Sequence, residues 1–163
     1  LAHALKRHEE FMAAGPMQTF VGNHDVDRIA STVGDAGASL AAVLLFTVPG
    51  VPSVYYGDEQ AFRGVRGTGF SADDAVRPAL PDDPAELSSL GQEMFELHRN
   101  LISLRRRHSW LGGGHVEVVD TQNESIRYAV TAEGHRLDVY LTLAPDVGAE
   151  LIFDDGEEFS VRR

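Results

Sequence analysis

The sequence predicts an α/β segment, residues 1–111, followed by a small all-β segment, residues 115–163. Two observations carry this. Up to Trp110 the apolar runs follow the order helix, strand, helix, strand and then one long helix, the pattern of βαβ units with right-handed crossovers. Beyond Gly112-Gly113-Gly114 they become short, β-rich and separated by turn residues. With 43% apolar and 24% charged residues in 163, the composition is that of an ordinary globular chain, long enough for one core.

The first helix is expected over Leu1 to Ala14, where Leu1, Ala4, Leu5, Phe11 and Met12 lie among charges and Gly15-Pro16 stops the run. Met17 to Gly22 follows as a strand of β-formers, closed by the polar Asn23 to Asp25. Ala36 to Val48 is apolar nearly all round, which at this length predicts a buried helix, ended by Pro49-Gly50. Val51 to Tyr56 is the second strand. Gly57 to Pro84 shows no sustained period and reads as a functional or disordered segment. Leu87, Leu90, Met94, Leu97, Leu101 and Leu104 then repeat at helical spacing to near Trp110, and the triple glycine reads as a flexible hinge. His115 to Asp120, Ser125 to Thr131, Leu137 to Leu143, Leu151 to Phe153 and Phe159 to Val161 complete a small antiparallel sheet, with turns at Asn123-Glu124, Glu133-Gly134 and Asp155-Gly156.

Several function classes fall away. A net charge of −11 argues against nucleic acid, whose phosphates require a surplus of Lys and Arg. The longest apolar run, Leu40 to Val48, is far short of the roughly 20 residues of a bilayer span, so no membrane segment is expected. The absence of cysteine excludes disulfides and thiolate metal sites. The chain opens on Leu1 with no leader pattern and reads as cut from something longer; localisation stays open.

Two stretches carry chemistry: Phe20-Val21-Gly22-Asn23-His24-Asp25 and Gly50-Val51-Pro52-Ser53-Val54-Tyr55-Tyr56-Gly57-Asp58-Glu59. Each is an apolar run ending in polar residues, as when a buried parallel strand delivers side chains to a site at its C-terminal end. Together they resemble the last two strands of the α-amylase superfamily of glycoside hydrolases, over residues 17 to 110. The resemblance implies the C-terminal portion of a (β/α)8 TIM barrel plus a small antiparallel β-sandwich. Met17 to Asn23 would be strand seven, Val51 to Tyr56 strand eight and Leu87 to Trp110 helix eight, with the sandwich from His115 onward.

The same resemblance implies a retaining α-glucoside hydrolase or transglucosylase acting on α-glucans or oligosaccharides. Its transition state resembles an oxocarbenium ion and needs fixed negative charge beside groups that bind sugar hydroxyls. Asp25 takes the role of the stabilising carboxylate, and His24 and Asn23 contact the same glucosyl unit; without the second motif, an Asp after a strand would read as a turn former. Arg28 is expected to form an ion pair that positions the loop. Gly57 supplies a tight backbone and Glu59 a buried acceptor. Arg77, before Pro78, resembles the arginine that pairs with an acid to close the pocket of exo-acting members, although Ala79-Leu80-Pro81 replaces the usual Thr-Pro-Met-Gln-Trp continuation; a solvated loop charge is the alternative. Nucleophile and general acid would lie on upstream strands, so the chain alone should bind weakly and hydrolyse nothing. No organic cofactor and no metal ligand set is implied, calcium being left open for a longer protein. Two parallel strands cannot close on themselves, and their free edges predict self-association.

Other readings compete. Gly22-Asn23-His24-Asp25 also resembles a dinuclear metallophosphoesterase motif, but Gly114-His115-Val116-Glu117 lacks the second histidine of that family's ligand pair, and His98, His108 and His135 lack metal spacing. A non-catalytic sugar-binding or scaffold module would need a row of exposed aromatics, whereas Trp110, Tyr128, Tyr140 and Phe153 read as core. Arg105-Arg106-Arg107-His108 reads as charge compensating the dipole of its own helix rather than as a polyanion site.

Overall fold

The computed structural model describes residues 1–87 and 89–163 apart from the side chains of Pro84 and Leu90, so the Leu90 step of the helical repeat lies outside the described residues. Helix α1 (Ala2–Met12), strand β1 (Gln18–Thr19), helix α2 (Ile29–Thr47), strand β2 (Val51–Pro52) and helix α3 (Ser89–Arg107) come first. They are followed by β3 (His115–Thr121), β4 (Ser125–Ala132), β5 (His135–Thr142), β6 (Gly148–Phe153) and β7 (Glu158–Arg162). β1 and β2 pair in parallel, Gln18 with Val51 and Thr19 with Pro52.

Both strands are shorter than the expected Met17 to Gly22 and Val51 to Tyr56. The last backbone bond between them runs from Ser53 N–H to the Thr19 carbonyl at 2.7 Å, and the chain then turns as Asp58 N–H bonds the Tyr55 carbonyl at 3.0 Å. Helix α2 starts at Ile29, seven residues before the expected Ala36, because the Arg28 carbonyl accepts from the backbone N–H groups of Ser31 and Thr32. Its first turn is set off by Gly34, at φ 72°, a conformation that favours glycine. At this full length, 19 residues of hydropathy 1.6, α2 also fits a membrane span by length and composition. Here Ala38, Leu40, Val43, Leu45 and Phe46 are buried in the core instead.

The C-terminal strands form one five-stranded antiparallel meander in the order β3-β4-β5-β6-β7. Among the described residues there is no second β-layer, so the expected β-sandwich is a single sheet, with helices packed against it. The turns follow their sequence: Glu133 and Gly134 take φ 55° and 86°, and Gly156 takes φ 91°, the positive values that tight hairpins need. The alternating faces bury Ile126, Tyr128 and Val130 on β4, Leu137, Val139 and Leu141 on β5, and Leu151 and Phe153 on β6.

One hydrophobic cluster runs through both segments, joining Leu5, Phe46, Met94, Leu101 and Leu111 to the inner face of the sheet. The Thr47 and Tyr128 hydroxyls meet at 2.5 Å, so these two buried groups satisfy each other. The glycines read as a hinge are a tight junction: Gly112 accepts the Gly50 N–H at 2.9 Å, and a Cβ on Gly114 would meet Val130 Cγ1 at 2.8 Å.

The arginine run does something other than neutralise its own helix. Arg105 Nη1 donates to the carbonyls of Phe46 and Val48 at 2.7 and 2.9 Å, and Nη2 to that of Gly50 at 2.6 Å. Arg105 therefore satisfies the orphan carbonyls at the end of α2 and leads the chain into β2. Arg107 and His108 both engage Glu157 in the β6–β7 turn. Replacing Arg105 with Ala is expected to cost about 2–3 kcal/mol, read by urea denaturation, with Arg105→Lys recovering only part because an ammonium lacks the planar fork.

Candidate active site

The Asn23-His24-Asp25 cluster stands immediately after β1. His24 and Asp25 are 59% and 63% exposed in their side chains, with Nε2 of the histidine 3.3 Å from Asp25 Oδ2. The Asp25 backbone N–H donates to Asn23 Oδ1 at 2.8 Å, an Asx turn that sets the direction in which Asp25 leaves the strand. Gly22, just before the cluster, and Arg28, three residues after it, are buried. An exposed carboxylate and imidazole thus rise from a closed base.

That base is an ion pair. Arg28 Nη1 donates to Asp58 Oδ1 at 3.0 Å and to the Tyr56 carbonyl at 2.6 Å, and the two side chains are 1% and 3% exposed. The guanidinium carbon lies 4.1 Å from the centre of the Tyr55 ring and 4.9 Å from that of Tyr56. Arg28 Nε and Nη2 have no hydrogen-bond partner among the described residues, and the π faces of the two tyrosines take over part of that demand. Arg28 N–H also donates to the Gly64 carbonyl at 2.9 Å, so this one residue joins the segments after β1 and after β2. Asp58 approaches the other side of the motif: a Cβ on Gly22 would meet Asp58 Oδ2 at 2.7 Å, so a larger residue there would push the Asp58 carboxylate out of place. Burial pushes the Asp58 carboxyl above the usual carboxylate range, and Arg28 offsets this only in part.

The other motif residues also have defined places. Gly57 takes φ 87° with the Phe62 ring against it, and its N–H donates to Glu59 Oε2 at 2.8 Å. Glu59 is half-buried and also accepts from Gln60 Nε2 at 2.9 Å. Arg77 is exposed; its partner is Asp73 of its own loop, Nη2 to Oδ2 at 2.8 Å. Arg66 Nε holds the other oxygen of Asp73 at 2.7 Å, and the Arg66 backbone N–H donates to Asp27 Oδ1 at 2.7 Å. Sequence reasoning places Asp58 in the second motif without giving it a role, and does not single out Arg66. Asp58 sits inside the second motif, where its apolar neighbours were a signal of burial; Arg66 carries no local pattern.

Among the described residues no metal-holding group includes His24. Among the described residues the one group able to hold a metal ion is His108, Asp155 and Glu157, at the end of α3 and the β6–β7 turn, where Arg107 and His108 already occupy Glu157. His115 pairs with Glu9 and His135 with Asp154, while buried His98 donates from Nδ1 to the Met94 carbonyl at 3.0 Å. Among the described residues these aromatics form no exposed row either: Tyr128 and Phe153 are buried, Trp110 stacks on His135, and Arg127 covers Tyr140.

Residues 1–110 match the catalytic domain of alpha amylases. The chain belongs to the alpha-amylase family. A 4-alpha-glucanotransferase of Thermotoga maritima is 47% identical over 49 residues, 28% of this chain and 11% of that protein. Alpha-amylase 1 of Schizosaccharomyces pombe is 27% identical over 154 residues, 84% of this chain and 22% of its own length. The trehalulose synthase MutB from Pseudomonas mesoacidophila superposes with a TM-score of 0.72 at 19% identity, over 90% of this chain and 38% of that one, a likeness of fold. The chain thus spans well under half the length of each of these proteins. Family membership removes the metallophosphoesterase reading.

Arg28→Ala leaves Asp58 buried without its cation and is expected to cost about 3–5 kcal/mol at neutral pH. A raised native pKa means that the folded state binds the proton more tightly, so stability is greatest below the unfolded value near about 3.9 and falls as pH rises through the native one. The variant should therefore recover part of its loss in urea melts as pH is lowered from 7 toward 4, and a pH-independent loss would show that Asp58 is not the group left unpaired.

Proposed function

We propose that the chain is the C-terminal part of a retaining α-glucoside hydrolase or transglucosylase acting on α-glucans or oligosaccharides. The observation that carries this is the exposed His24–Asp25 pair rising from a buried ion-paired base at the end of a parallel strand, in a chain of the alpha-amylase family. In this reading β1 and β2 are strands seven and eight of a (β/α)8 barrel, residues 1–111 belong to the barrel and residues 115–163 to the C-terminal domain.

Asp25 supplies fixed negative charge to the oxocarbenium-like transition state, and His24 and Asn23 bind hydroxyls of the same glucosyl unit. The nucleophile and the general acid form a pair about 5 Å apart in a retaining site, and we assign both to the remainder of a longer protein. The chain by itself is then catalytically incomplete. Hydrolysis and glucosyl transfer share the covalent intermediate and differ in whether water or a sugar hydroxyl attacks it. No organic cofactor enters this scheme. Arg77, held by Asp73 of its own loop, is the residue we assign to closing the pocket behind one sugar.

Two measurements test this. In the longer protein, Asp25→Asn is expected to lower kcat by orders of magnitude while leaving the thermal midpoint nearly unchanged; near-normal turnover removes Asp25 from the mechanism. β1 and β2 each bond on one side only, with Met17, Phe20, Val51 and Val54 exposed along them. The isolated chain should therefore self-associate in analytical ultracentrifugation, and a concentration-independent monomer would show that these edges are tolerated in water.

A further inference from the structure

Past Thr19, whose carbonyl takes the last bond of the β1–β2 ladder from Ser53, strand pairing no longer holds the chain. From Met17 to Asp27, among the described residues, Gly22 alone is buried. What Gly22 rests on is therefore what aims the exposed residues after it. The three atoms nearest the place of a Cβ on Gly22 all belong to the Asp58 carboxylate: Oδ2 at 2.7 Å, Cγ at 3.6 Å and Oδ1 at 3.7 Å. In glycine that place holds a Cα–H, a weak donor facing a buried oxygen, Asp58 Oδ2, that has no hydrogen-bond partner among the described residues.

Asp58 is itself held from three sides. Its Oδ1 accepts from Arg28 at 3.0 Å, its N–H donates to the Tyr55 carbonyl at 3.0 Å, and its carbonyl accepts from the Ala61 N–H at 3.1 Å. Gly57 and Ala61 on either side of the turn take φ 87° and 54°, so the backbone that carries Asp58 is tightly wound. Its carboxylate fills the gap between the Arg28 guanidinium and the Gly22 backbone.

We propose that Asp58 is a positioning residue for Asp25: its carboxylate is the stop against which Gly22 lies, and it sets the direction in which Asn23, His24 and Asp25 leave β1. The Asx turn of Asn23 then fixes the Asp25 backbone relative to that anchored point. The consequence for catalysis rests on the reading of Asp25 given above; the consequence for the backbone does not.

The test reads direction rather than stability. Residual dipolar couplings of the 22–25 amides, measured on the 163-residue chain well below its unfolding temperature, report how that segment is oriented against α2 and the sheet. Asp58→Ala removes the stop and Gly22→Ala displaces it, so each is expected to change these couplings. The double variant should change them no more than Asp58→Ala alone, because the added methyl then has room. Asp58→Asn, of nearly the same volume and with an acceptor left for Arg28, should keep them. Arg105→Ala, destabilised elsewhere, should keep them too, which separates aim from a general loss of stability. In the longer protein Asp58→Ala should lower kcat about 100-fold, the effect of a misplacement of about 1 Å. Unchanged couplings in both Asp58→Ala and Gly22→Ala would overturn the positioning role whatever Asp25 does. Changed couplings with full kcat in Asp58→Ala, beside a large loss in Asp25→Asn, would overturn its bearing on the reaction while leaving Asp25 catalytic. Full kcat in Asp25→Asn would overturn the reading of Asp25 instead.

Discussion

A guanidinium packed against two adjoining tyrosine rings ties the two halves of the motif together. Arg28 leaves the chain just after the segment that presents His24 and Asp25, and its partners, Asp58 and the Tyr56 carbonyl, belong to the turn after β2. Strand pairing contributes little at this point, because β1 and β2 share only two residue pairs. The ion pair and its aromatic cover therefore do the work that a longer ladder would do elsewhere. A buried pair is costly to desolvate and is retained where its geometry specifies something; here it specifies where Gly22 lies, and so where the next three residues point.

The α/β segment and the sheet are bound by polar contacts set into a common apolar core. Glu9 of α1 accepts from the Val116 N–H at 2.8 Å and pairs with His115, which holds the first strand of the sheet to the first helix. At the other end Arg163 reaches Ser39 at 3.0 Å and Glu93 at 2.7 Å. Together with Thr47–Tyr128 and the Arg105 cap, these contacts make the junction a packed interface. The glycines at 112–114 allow close approach of backbone to backbone and to Val130 rather than freedom of movement.

Much of the candidate site was legible because its residues are consecutive in the chain. Asn23, His24 and Asp25 lie together in the chain and remain together in space, and Gly57 with Glu59 closes its turn within three residues. What escaped was long-range. Nothing near Arg66 in the chain marks it as the partner of Asp27, and nothing near Asp58 announces that its carboxylate will lie against Gly22. Arg105 shows the same limit: a cation in the last turn of a helix reads as local compensation of the dipole, whereas its fork is spent on carbonyls at and just beyond the end of another helix.

The sequence by itself determined the order of elements, the two-part division of patterning, the hairpin turns of the sheet and the identity of the motif residues. These depend on periodicity and on backbone preferences that act over a few residues. Tertiary structure alone decided how far β1 and β2 extend, where α2 begins, that the last five strands make one sheet with helices as its second layer, and which carboxylate each arginine meets. Those outcomes depend on desolvation and packing between residues tens of positions apart, whose energies do not exist until the chain has brought them together.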